Sequence, residues 1–171
     1  MNIPDSVRES TVEFVADLVA EDPTTRVVRS HTRIEKAIEA FLDKHLKYGE
    51  YKSKLRLEYA QKVALALAVG LPKELQTPLN SLGKLRNDFA HELDSALSDS
   101  RITALYECLS PGLKDQAQAI ARDLWHSHQP EVAYPKFEKL DPIDRFISIS
   151  VILWNALQSA ILSCADSLPS A

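Results

Sequence analysis

The sequence predicts an all-α protein, a single helical bundle of about six or seven helices. Three observations carry that expectation. Only four glycines occur in 171 residues, while Ala, Leu, Lys and Glu, good helix formers, are frequent. No segment of β-type alternation bounded by hairpin turns stands out. Several prolines follow directly on residues that cap helices, where a missing N–H costs nothing.

Taken in order, Asp5 precedes an apolar pattern at Val7, Phe14, Val15 and Leu18, which predicts a helix over 5–20. Asp22 and Pro23 supply an N-cap and a first helical position for a helix over 23–47, with a stop at Gly49. A helix over 55–69 ends at Gly70 and Pro72. Thr77 and Pro78 repeat the start signal for 78–94, and helices over 99–109 and 113–127 flank the "SPG" break at 110–112. The stretch "SHQPEVAYPKFEKLDP" is the one long loop, wrapping the surface or ordering against a partner, before Asp141, Pro142 and Asp144 open a helix over 142–167. One domain over 1–171 is expected, with a core over about 23–110 plus the last helix.

The net charge of −4 and pI near 5.7 exclude a chain that is basic overall, as a general nucleic-acid binder would be. Two isolated cysteines, Cys108 and Cys164, exclude a disulfide framework and any CxxC metal site and suit a reducing cytoplasm. The N-terminal stretch has neither the basic nor the apolar region of a signal peptide. The run 146–165 holds no charge and has the length of a membrane span, but it carries four serines, Asn155 and Gln158. A buried helix of a bundle is expected there, not a membrane contact.

"KLRNDFAH", 84–91, is the least ordinary stretch. On a helix turning about 100° per residue, Leu79, Leu82, Leu85, Phe89 and Leu93 form the core stripe, and Arg86 borders it. Asn87 and His91 lie one above the other at i and i+4, and Asp88 sits one turn before His91, where it can orient the imidazole. Arg86 and His91 are separated by roughly 140° about the axis, so a shared site requires a groove between helices or between two copies of the chain. The bland alternative is an arginine snorkelling from the core edge beside an inert helix histidine. Arg26, Arg29, Arg33 and Lys36 form a basic stripe, either a solvated face or a track for an RNA backbone. Tyr48, Tyr51, Lys52, Lys54 and Arg56 add an aromatic–basic mix at a helix connection. His31 and His45 read as lone helix residues, and His126 and His128 lack partners for a metal site.

The stretch "RNDFAH" resembles the signature of the HEPN superfamily, an arginine followed by a polar residue and, after a short spacer, a histidine. The longer "LRLEYAQKVALALAVGLPKELQTPLNSLGKLRNDFAH" resembles the branch related to the mannitol-operon repressor family, matching at Lys62, Ala66, Ala68, Gly70, Leu71, Leu79, Leu82, Arg86, Asn87, Phe89, Ala90 and His91. Pro78 departs from the smoother helix that family keeps. The resemblance implies a helical bundle pairing through its motif helices as a homodimer. It also implies a metal-independent endoribonuclease or toxin-type RNA-binding protein without a cofactor, with an antitoxin or other protein partner. The catalytic set would be Arg86 on the scissile phosphate, Asn87 positioning it and His91 as acid or base. Some relatives of this kind are non-catalytic regulators working through protein–protein contacts, and that is the alternative.

Overall fold

The computed structural model describes residues 5–19, 22–49, 54–91 and 96–163, with side chains for all but 5–9 and 91. Its elements are α1 (Asp5–Val19), α2 (Pro23–His45), α3 (Tyr59–Ala68), α4 (Gln76–His91), α5 (Asp99–Glu107), α6 (Pro111–His128) and α7 (Pro142–Ser163). Two tight single turns, Lys73–Leu75 and Phe137–Lys139, precede α4 and α7. No strand occurs among the described residues, so the chain is an all-α bundle. The predicted helix ends 92–94 and 164–167, Cys164, and Tyr51 and Lys52 lie outside the described residues.

Local chemistry accounts for most boundaries. The Asp22 carboxylate accepts hydrogen bonds from the backbone N–H of Thr24 (3.0 Å) and Thr25 (3.1 Å), ahead of Pro23. Ser98 and Ser110 cap α5 and α6 in the same way, and Pro111 at once opens α6, two residues before the predicted start. At the end of α3, Gly70 takes φ +114° while the N–H of Leu71 reaches Ala66 O (2.9 Å) and that of Gly70 reaches Leu67 O (3.2 Å). That double closure needs the left-handed conformation glycine adopts at no steric cost. The start of α4 differs from expectation. It begins at Gln76, carried on from the Lys73–Leu75 turn, so Thr77 is not its cap and Pro78 sits within the first turn. There the missing N–H is one of the four with no helical acceptor, and the proline is tolerated.

Helix α7 is the axis of the molecule. It is apolar and long enough to cross a membrane by length and composition, yet 72% of that stretch is buried inside the fold. Residues 145–155 are buried without a break, so α7 has no solvated face along three turns. It packs against α1, α2, α5 and α6, and α3 and α4 lie outside on α2 and on each other. The polar groups that set it apart from a span are partly satisfied. Ser148 Oγ donates to Asp144 O (2.8 Å), and Asn155 Oδ1 accepts from Thr11 Oγ1 (2.9 Å). Ser150 Oγ is buried without a partner among the described residues.

The long loop after α6 orders against the chain itself. Trp125 Nε1 donates to Val132 O (3.1 Å), and buried Phe137 stacks on Tyr106 of α5 at 4.6 Å between centroids. At the mouth of α7, Arg145 is 2% exposed and its guanidinium pairs with Asp99 and reaches Thr103 Oγ1 (3.4 Å) on α5. Asp99 is itself largely hydrated, so the two partners are not equivalent. Asp99→Ala leaves a buried cation without its counter-charge and is expected to cost on the order of 3 kcal/mol. Arg145→Met replaces the cation with an apolar chain of similar length and is expected to cost less. Urea unfolding of both variants checks the order.

Candidate functional site

A cleft of about 680 Å³ opens where α2, α3 and α4 meet. Helix α2 contributes His31 and Glu35, and α3 contributes Glu58, Tyr59 and Ala60. Helix α4 contributes Asn80, Gly83, Lys84, Arg86 and Asn87. The α4 residues follow from its core stripe: Leu79, Leu82, Leu85 and Phe89 are buried, which turns the opposite flank outward.

Two contacts hold the walls in place. Lys62 Nζ of α3 reaches Glu35 Oε1 (2.6 Å) and Glu39 Oε1 (2.5 Å), one turn apart on α2. Burial pulls the lysine's basicity down, but the hydrogen bonds it donates to both carboxylates, with their charge, outweigh it and leave the ammonium above its ordinary 10.5. The matching lysine of the resemblance is therefore engaged in tying α3 to α2. Tyr59 is the second contact. Its hydroxyl donates to Leu79 O (3.0 Å), its ring lies on His31 at 4.2 Å between centroids, and its other neighbour is Gly83. A Cβ on Gly83 would stand 2.7 Å from the Tyr59 ring, so α4 approaches this close only because residue 83 has no side chain. Burial, with Glu35 adding to it, pushes the phenol well above its ordinary value and keeps it protonated.

His31 is 6% exposed, and its Nδ1 stands 3.9 Å from Glu35 Oε2. Burial lowers its basicity below 6.5. Glu35 works against that, and Arg86 and Lys62 add to it. The imidazole is neutral at pH 7.

The motif residues fall as follows. Arg86 and Asn87 are exposed and share the cleft, with Arg86 Nη1 donating to Asn87 Oδ1 at 3.1 Å. That bond swings the guanidinium from the core border toward the Asn87 flank, on which position 91 also falls by helical register. Asp88 is half-buried on α4. His91 closes α4, and its side chain lies outside the described residues.

The basic stripe divides. Arg26 is buried and turns inward, with Nε donating to Leu18 O (2.5 Å) and Nη2 to Val19 O (3.5 Å), and so caps the end of α1. Arg26 is therefore removed from the RNA-tracking set. Arg33 pairs with Asp17 Oδ2 at 2.5 Å and lies over the Phe14 ring. Arg29 and Lys36 remain exposed. The stripe divides because α1 packs along a flank of α2 that spacing alone leaves solvated.

Among the described residues no three His, Cys, Asp or Glu converge as a metal site would require. A second concavity, about 580 Å³ between the Lys73–Leu75 turn, α6 and α7, is mainly apolar and has no cation in its wall. His31, Glu35 and Tyr59 are the site residues that sequence reasoning missed. The i, i+4 spacing of His31 and Glu35 was a visible signal, but its meaning comes from Tyr59 across the helix pair. The chain matches no family model, no curated protein and no solved structure.

Two expectations follow. Gly83→Ala gains up to about 1 kcal/mol of helix propensity but overpacks the Tyr59 ring, a penalty of about 1–3 kcal/mol, so the variant should unfold at lower urea. The loss should shrink in a Tyr59→Leu background. Second, the unfolded chain binds a proton at His31 more readily than the folded one does. The stability this gives the fold is complete above pH 6.5 and is lost as pH falls toward the depressed folded value. His31→Gln should flatten that dependence, read from urea midpoints across the range.

Proposed function

We propose that this chain is a metal-independent endoribonuclease of the kind its motif resembles, binding the phosphate of an RNA strand in the α2–α3–α4 cleft. One observation supports the reading most: Arg86 and Asn87 are joined side chain to side chain on the wall of a polar cleft that also holds an imidazole. A guanidinium offers several N–H donors in one plane, which suits a phosphate, and its charge meets the one that develops as the phosphorane forms. Asn87 fixes the guanidinium and leaves its own amide N–H groups for a second phosphate oxygen. Lys84 on the same wall adds a longer-range attraction. His91, one turn beyond Asn87, acts as acid toward the leaving oxygen. In this reading the protein works in the cytoplasm on cellular RNA, held in check by a protein antitoxin.

Cleavage should persist in excess chelator. His91→Ala should reduce the rate by about 10²–10⁴-fold while binding of an uncleavable 2′-deoxy analogue persists. Arg86→Ala should lower both binding and rate, and Arg86→Lys should restore little, since a point charge does not reproduce the fork. Circular dichroism confirms the fold of each variant. Full cleavage by folded His91→Ala, or cleavage only with divalent metal, overturns the mechanism. Binding without any cleavage across varied RNAs points to a non-catalytic regulatory module.

A further inference from the structure

RNA cleavage through a 2′-hydroxyl requires both a base and an acid, and the motif on α4 supplies one imidazole per chain. The cleft itself holds an imidazole from a different helix. His31 arises from α2, 60 positions away from His91 in the sequence, yet it lines the same wall system as Arg86 and Asn87. We propose that His31 is the general base of this site, working with His91 as the acid. The inference rests on the reading of the cleft as an RNA-cleaving site.

Three features fit the role. The ring is held against Tyr59, whose hydroxyl is anchored on Leu79 O, so the imidazole is held in place before substrate arrives. In the proposed role Nδ1, 3.9 Å from the Glu35 carboxylate, keeps its hydrogen and Nε2 is the accepting atom. The charged and titratable groups around the ring are Glu35 on its own helix, Lys62 and Tyr59 on α3 and Arg86 on α4. Glu35 is already paired with Lys62, so the carboxylate's pull on a proton is blunted. Burial and Arg86 then keep the ring unprotonated at neutral pH, the state a base must start from. In the step, Nε2 takes the 2′-hydroxyl proton as that oxygen bonds to phosphorus. The bond from phosphorus to the 5′ oxygen breaks, and the 5′ oxygen receives a proton from His91. The products are a 2′,3′-cyclic phosphate and a 5′-hydroxyl end.

The test is single-turnover cleavage of a short fluorescent RNA in excess chelator by wild type and His31→Gln, from about pH 5 to about pH 9. Wild type should show a bell, rising on the acid side as His31 loses its proton and falling on the alkaline side as His91 loses the proton it donates. Folded His31→Gln should lose about 10²–10⁴-fold in rate and lose that acid-side limb, while still binding the 2′-deoxy analogue. A folded His31→Gln protein that keeps the wild-type rate and limb overturns the proposal and leaves the cleft's RNA-cleaving role intact. The His31 proton resonances, titrated with the 2′-deoxy analogue, provide a readout independent of turnover. A bound phosphate should raise the pH at which His31 titrates. Binding that leaves it unmoved overturns the role of His31, and absence of both binding and cleavage overturns the cleft reading together with it.

Discussion

A helix uncharged from Phe146 to Ser163 and with no solvated face along three turns must be enclosed, and α7 imposes that constraint on the whole chain. Each large apolar side chain it withdraws from water contributes about 1.5–3 kcal/mol, and residues 145–155 are buried around the full circumference. Enclosure takes four neighbours, α1, α2, α5 and α6. Of these, α2 carries buried Val27, Ile34, Ile38 and Phe41 for the core together with His31, Glu35 and Glu39 for a second contact. The pair α3 and α4 settles on that second contact, outside the shell around α7. The cleft is a by-product of this two-tier arrangement, because helices that do not wrap the axis have a flank left over.

What keeps the flank from closing is polar. A purely apolar contact between α2 and α3 would slide until it filled. Lys62 between Glu35 and Glu39 fixes both the register and the spacing of the two helices, since a bridged ammonium has few equivalent positions. Gly83 acts in the opposite sense, letting α4 press on the Tyr59 ring until the ring itself becomes the floor of the site. A polar tie holds one wall off and a missing side chain draws the other in. Between them His31 is held against the tilted Tyr59 ring and shielded.

Helix existence was legible from local signals because caps act over three or four residues. Asp22, Ser110 and Asp141 lie beside the ends they govern, and the structure puts helices there. The start of α4 misled because the turn Lys73–Leu75 passes directly into it, and no local signal marks such a continuation. The buried arginines were illegible for another reason. Arg26 and Arg145 look like surface residues in any one-helix projection, and their burial depends on which neighbours arrive, α1 in one case and α5 in the other. The same holds for the site. Arg86 and Asn87 were readable as a pair beside a core stripe, but the contact of His31 with Tyr59 spans 28 positions of chain and exists only because α3 folds back onto α2.

The apparent conflict between Arg86 and His91 shows how far helix projections can be trusted. Angles about an axis locate Cβ atoms, whereas an arginine extends several ångströms beyond its own and can cross to the next flank. The bond to Asn87 Oδ1 uses that reach, and it costs the arginine rotamer freedom it would otherwise keep at an exposed position. Such a cost is sustained more readily when the fixed guanidinium also acts on something else, and here Arg86 lowers the basicity of His31 across the cleft. The coupling is mutual: burial is the main reason His31 stays unprotonated, and an anion bound to Arg86 would offset the arginine's smaller share, so ligand binding would raise the imidazole's proton affinity. In the proposed reaction the arginine thus serves both halves of the step, holding the phosphate and releasing the neighbouring base to do its work.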